Sequence, residues 1–424
     1  MMLYRPGIKY ISSFLLLSSF FLTPELFAQP KGVHLSWNGK KKVNTTKTIG
    51  ITWMNEMQGK GQILYGVDSN NLNKGEKTKR KYSNDLKTYV HKATLKKLKP
   101  GTFYYYRAGS DASGWSSVYR FRTGPGKNDH SKIVVGIWSD TQNNKGNLEF
   151  EQTDSMVSAL KKNTFHFTLH NGDIVENGSM VKSWKKFFDV AEPLNSHYPF
   201  MSVTGNHDVV NDTASPAFQK PFPVYYDLFN LPNDQLNYSY NYGNVHFVAI
   251  NSGYAQGAEK VGKVLFAEGS QEYKWLDADL AKAKKTKHID WIIVYSHYPI
   301  YSFGFSHVPT WQKHLKPLVD KYEVDLYLAG HRHVYERHKA VRGSEIFEQT
   351  APHIYKNPKG TVYITNGSCG GSLQGTGGDK LPTMAVTPKE KIYTYSIMSI
   401  ENKTINYSVY DQTGKQIDYF RIMK

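Results

Sequence analysis

From Ile133 onward, short apolar segments alternate with stretches of helical spacing, and five of those segments run into a turn that ends in Asp, Asn or His. The five are Ile133 to Trp138, Phe165 to Leu169, Phe200 to Val203, Trp291 to Tyr295 and Val324 to Leu328; Val245 to Ile250 is a sixth, without such a turn. Helical spacing fits Leu148 to Leu160, Trp184 to Ala191, Gln271 to Ala283 and Trp311 to Tyr322. This alternation predicts a layered α/β domain, and such sheets gather functional groups where strands end. Asp140 follows the first segment, Asp173 the second, and Asn206-His207-Asp208 the third. His297 follows Trp291 to Tyr295, and His331 and His333 follow Val324 to Leu328. A glycine precedes Asp173, Asn206 and His331, which lets the backbones of tight turns approach one another. After Thr361 the pattern returns to strands, at Ile392 to Ile400, Thr404 to Tyr410 and Ile417 to Ile422.

The upstream part reads differently. Val33 to Thr123 holds short alternating segments such as Ile49 to Trp53, Gln62 to Tyr65 and Thr102 to Arg107, punctuated by turn signals such as Pro100-Gly101. That pattern predicts a small β-sandwich, with Gly124 to Asp129 as the linker. A chain of 424 residues suits two cores. We therefore expect a leader over 1–28, a sandwich over 29–125 and the α/β domain over 126–424. In the leader, Arg5 and Lys9 precede an apolar stretch from Ile11 to Leu22, and Leu26-Phe27-Ala28 offers a cleavage site near Ala28. The stretch falls short of the roughly 20 apolar residues of a membrane span, so the expectation is an exported chain beginning near Gln29. Cys369 is the only cysteine, which excludes an internal disulfide framework.

Carboxylate, amide and imidazole together suit Zn, Mn or Fe. Two such ions, typically about 3.5 to 4 Å apart, need a bridging carboxylate and can clamp a phosphate. Asp173 is the natural bridge. Each residue alone has an ordinary structural explanation as a helix cap, a turn former or a core histidine. Their joint occurrence at five strand ends argues for a site.

Gly172-Asp173, Gly205-Asn206-His207-Asp208, Ser296-His297-Tyr298-Pro299 and Gly330-His331-Arg332-His333 resemble the ordered motifs of the calcineurin-like metallophosphoesterases. Val334-Tyr335-Glu336-Arg337 and the upstream sandwich narrow the resemblance to purple acid phosphatases. Leu98 to Thr102, Tyr104 to Arg107, Trp115-Ser116 and Phe121-Arg122-Thr123 are similar to the fibronectin type III-like domain of those enzymes. The resemblance implies a catalytic domain of two packed mixed sheets flanked by helices. It implies one metal at Asp140, Asp173 and His333 and another at Asp173, Asn206, His297 and His331, drawn from Fe, Zn or Mn. A metal-held hydroxide would attack a phosphate monoester; a phosphodiesterase or nucleotide pyrophosphatase is the alternative. His207 would contact the phosphate or protonate the leaving oxygen, oriented by Asp208, with His307 and Arg332 as further substrate contacts. The intact set speaks against a mere binding scaffold.

Two positions depart from the family pattern. Purple acid phosphatases carry a tyrosine three residues after the bridging aspartate, and its bond to ferric iron gives the colour; here Glu176 stands there and reads as a loop carboxylate. Gln142 occupies a position where many relatives have His or Gly, and reads as a carbonyl ligand or a hydrogen-bonding neighbour. The charge of +17 is concentrated upstream: residues 29–125 hold 19 Lys and Arg against 5 Asp and Glu. Lys77 to Lys81 and Lys96 to Lys99 are candidate contacts to an anionic surface, while no base-reading motif points to nucleic acid.

Overall fold

The computed structural model describes residues 29–39, 43–56, 58–126, 129, 131–142, 149–208, 223–252, 265–303, 308–375, 381–387 and 390–424. The leader expected over 1–28, and His307, lie outside the described residues.

Residues 31–122 form a sandwich of two antiparallel sheets. One orders the strands Lys31–Ser36, Ile49–Asn55, Thr88–Leu95 and Lys79–Ser83; the other begins Lys74–Lys77, Gln62–Gly66, Phe103–Ser110. Every residue of Ile49–Asn55 is buried, because one face meets the opposing sheet and the other faces the second domain. The basic run turns out to lie on Lys74–Lys77 and Lys79–Ser83, the edge strands of the two sheets. Lysines there block pairing with a foreign strand, a structural reason for part of the charge.

The sandwich is fastened to the second domain over residues 226–230. Lys92 Nζ donates to the carbonyls of Tyr226 (2.9 Å) and Phe229, and Lys81 Nζ pairs with Asp227 at 2.7 Å. Ser36 Oγ donates to Asn230 O at 2.8 Å, and His34 Nε2 lies 3.0 Å from Leu228 O while its ring stacks on Phe188. One hydrophobic cluster runs across the boundary.

The second domain packs two mixed sheets. The first orders Phe200–Ser202, Phe167–His170, Ile133–Trp138, Thr394–Glu401, Thr404–Asp411, Gln416–Met423 and Ile354–Lys356. The second orders Tyr238–Tyr242, Val245–Ile250, Trp291–Ser296, Leu326–Ala329, Thr361–Asn366, Tyr335–Arg342 and Glu345–Phe347, with Met384–Val386 against Tyr335–Arg342. The strands that lead to the candidate residues pair in parallel with one another and, apart from Val134, are buried along their length, as expected for sheets covered on both faces. The stretch Trp311 to Tyr322 is two helices, Val308–His314 and Lys316–Lys321, because Pro317 cannot donate the bond that would join them.

Candidate metal centre

The turns after five strands converge between the two sheets. Asp140, Asp173 and Asn206 come from the first sheet; His297, His331 and His333 come from the second. Asp140 (φ 55°), Asp173 (φ 52°) and His331 (φ 68°) sit in the left-handed region, a conformation that costs a non-glycine residue about 1–2 kcal/mol. The cost is borne because the turns hold one another: Asp140 N donates to Gly172 O (3.0 Å), Thr141 N to Asp173 O (2.9 Å) and Gly330 N to His297 O (3.0 Å).

Side-chain donors then meet in two groups that share one residue. Asp173, His297 and His331 form one, Asp140, Asp173 and His333 the other, each with its ligand atoms within 4.8 Å of one another. His297 turns Nδ1 to Asn171 O (2.8 Å), leaving Nε2 beside Asp173 Oδ2 (3.2 Å), Asn206 Oδ1 (3.0 Å) and His331 Nδ1 (3.1 Å). His333 turns Nδ1 to Ser372 O (2.8 Å), leaving Nε2 at 3.5 Å from Asp140 Oδ1. Anchoring the far nitrogen on a carbonyl fixes the tautomer that presents a bare lone pair to a metal. Burial opposes charge on His297, but Asp173 and Asp140 outweigh it and raise the imidazole to about 9; burial and the neighbouring His297 push His331 well below its ordinary value. The carboxylates thus favour a positive charge at this point.

Carboxylate oxygens and imidazole lone pairs brought this close in a buried site are costly unless a cation joins them, so the donor set fits metal ions. Among the orphaned atoms at the site are Gln142 Oε1 and Glu176 Oε2, both buried and without a hydrogen-bond partner.

The residues following Asn206 differ from expectation. Asp208 does not orient His207; it is buried and accepts from three backbone amides, Ile174 N (2.7 Å), Val175 N (3.1 Å) and Gly205 N (2.8 Å). Its carboxylate reaches back to the Asp173 turn because those amides have no partner within their own turn. His207 Nδ1 instead lies 2.9 Å from Glu176 O and 3.4 Å from the Glu176 carboxylate. Glu176 is the residue the sequence undervalued. Arg332 lies within the site's last turn, where burial lowers its guanidinium.

Residues 133–335 match the calcineurin-like phosphoesterase family, and residues 30–123 match the purple acid phosphatase N-terminal domain. The chain carries a calcineurin-like phosphoesterase domain behind a purple acid phosphatase N-terminal domain. This phosphatase is 28% identical over 432 residues to human (Homo sapiens) acid phosphatase type 7, covering 92% of this chain and 90% of that one. It is 28% identical over 356 residues to purple acid phosphatase 21 of Arabidopsis thaliana, covering 82% and 72% respectively. A purple acid phosphatase from yellow lupin (Lupinus luteus) seeds superimposes with a TM-score of 0.78 at 20% identity, over 93% of this chain and 74% of that one, which shows the shared fold. The phosphatase is accordingly a hydrolase of phosphoric esters, from a family that depends on two metals.

Proposed function

We propose that the chain is an exported phosphatase that hydrolyses phosphate monoesters at a dinuclear centre held by Asp140, Asp173, Asn206, His297, His331 and His333. The observation that carries this reading is the pair of donor groups with Asp173 common to both, the arrangement a bridged metal pair requires. When bound, such a pair supplies Lewis-acid charge to the phosphoryl oxygens and an activated water.

The chain's own residues do the rest. Asp208 gathers the amides of Ile174, Val175 and Gly205 and so fixes the turns of Asp173 and Asn206 relative to each other. Glu176 O holds His207 Nδ1, leaving Nε2 to contact the phosphate and give its proton to the leaving oxygen. Burial and the nearby His297 oppose charge on His207, but the Asp173 carboxylate, with Glu176 O and the Glu176 carboxylate, outweighs them and raises the imidazole above its ordinary value, so the imidazolium is favoured. Arg332 is proposed as a phosphate contact. Export is proposed from the leader at 1–28, and no helix among the described residues is long and apolar enough to cross a membrane. The basic sandwich is proposed to contact an anionic surface through exposed Lys77, Lys79, Arg80, Lys96, Lys97 and Lys99. Neutralising these six in the full chain should abolish retention on an anionic matrix at physiological salt.

The test is hydrolysis of a chromogenic monoester and its bis-ester by protein loaded in parallel with Zn, Mn and Fe, with His207→Ala beside it. Monoester turnover lost in the variant supports the reading. Preference for the bis-ester makes the enzyme a diesterase, and no turnover with any metal removes the enzymatic reading altogether.

A further inference from the structure

Gln142 is 1% exposed, and its side chain enters the group formed by Asp140, Asp173 and His333. Its amide nitrogen lies 3.2 Å from Asp173 Oδ2 and 3.1 Å from His333 Nε2, while Oε1 is buried with no partner. His333 Nδ1 is committed to Ser372 O, so the Nε2 facing the amide is a lone pair. The amide therefore points its two N–H groups at a carboxylate oxygen and an imidazole lone pair, the atoms on which a cation would be held.

The oxygen and nitrogen ends of a primary amide have nearly the same shape, and a half-turn about the last torsion exchanges them without demanding space. With a cation between Asp173 and His333, the N–H end is repelled and the oxygen end attracted. The exchange carries the orphaned oxygen from a position where it has no partner to one where it has the strongest partner in the domain. Without a cation the exchange is forbidden, because three acceptors would face one another. The backbone is ready for this: Gln142 N donates to Asp173 O at 3.2 Å, so residue 142 is tied to the same turn as the bridging carboxylate.

We propose, resting on the dinuclear reading above, that Gln142 Oε1 is a metal ligand at the Asp140–Asp173–His333 site and makes that site one for a divalent ion rather than for a ferric phenolate. Glu176 supplies no phenolate, and its oxygens are outside the donor group that Asp140, Asp173 and His333 form. One Glu176 oxygen faces His207 at 3.4 Å instead. The direct donors are then two carboxylates, one imidazole and one neutral amide oxygen. That set places less negative charge on the ion than a set containing phenolate, and it suits Mn or Zn.

The experiment is metal stoichiometry and affinity, read by elemental analysis and calorimetric titration with Mn and with Zn, on the full chain and on Gln142→Leu and Gln142→Glu. The full chain should take up two ions and stay colourless after ferric loading in air. Gln142→Leu, close in shape but without the oxygen, should hold one ion as before and weaken the other by about 10–100-fold. Gln142→Glu should restore two ions, and unfolding curves of the metal-free proteins should show that all three fold. Two ions held with unchanged affinity in Gln142→Leu overturn the assignment, as does a visible charge-transfer band on ferric loading of the full chain. If the full chain binds two ions but hydrolyses no ester, the phosphatase reading falls while the Gln142 assignment stands on the stoichiometry.

Discussion

Replacing Gly205 by alanine should cripple the enzyme while leaving it folded. Gly205 has no positive φ, so alanine is free of backbone strain there, and the whole effect must come from the added methyl group. That methyl would stand 2.6 Å from Asp173 Cγ, and nearer still to Asp173 Oδ1 and the Asp173 amide nitrogen. Ordinary van der Waals contact begins at 3.4 Å, so the turn carrying Asn206 and His207 and the turn carrying Asp173 must part. The parting is about 1 Å, and a misplacement of that size at a reacting centre costs ~100-fold in rate. In free energy that is about 2.7 kcal/mol of transition-state stabilisation, beside an overpacking cost of about 1–3 kcal/mol in stability. Gly375→Ala is the matched control, because a methyl there meets nothing within 4 Å. The assay is kcat/KM on a chromogenic monoester at saturating metal, with urea unfolding of both variants. A Gly205→Ala enzyme within threefold of the parent in kcat/KM would refute the claim that this glycine exists to let two turns close on Asp173.

Other outcomes follow from the same contacts. Lys92→Met leaves the Tyr226 and Phe229 carbonyls without their donor and should lower stability by about 2–3 kcal/mol in urea unfolding; an unchanged midpoint would mean the sandwich is held by apolar packing alone. Burial outweighs the two backbone carbonyls at His34 and lowers its pKa from 6.5 to about 4. As pH falls below 6.5 the unfolded chain protonates first, so stability present above that pH drains away down to about pH 4, by about 3 kcal/mol. His34→Gln, which keeps a donor but cannot titrate, should flatten this part of the stability–pH curve, and an unaltered slope would place the acid sensitivity elsewhere. Chelation should lower the melting temperature, since an ion at 100 times its dissociation constant contributes about 2.7 kcal/mol; identical melting with and without chelator would argue against occupancy.

The order Asp140, Asp173, Asn206, His297, His331, His333 was legible because each residue lies at the end of an apolar run, and apolar runs of that length declare strands. What was not legible is which side chain reaches which neighbour. The family resemblance implied that Asp208 orients His207, yet its carboxylate serves amides 33 and 34 residues upstream. Glu176 looked like an ordinary loop carboxylate, and only the fold brings its carbonyl under His207. The edge strands around Thr78 were hidden for a different reason. Their residues are mostly charged and exposed and show no apolar face, because an edge strand half in water needs none. The break within Trp311 to Tyr322 was hidden because Pro317 acts through one missing hydrogen bond rather than through periodicity.

The division of the six candidate ligands between two sheets has a consequence for chain connectivity. Each donor group takes residues from both sheets, so an ion held by Asp140 and His333 closes a loop of nearly two hundred residues. In a protein with one cysteine, that closure is the nearest equivalent of a disulfide, and loop-closure entropy grows with the length enclosed. Loaded, the sheets should open and refold as a single cooperative unit; stripped, the strand ends around the site should exchange their amide hydrogens first, while the distant strands of both sheets stay protected.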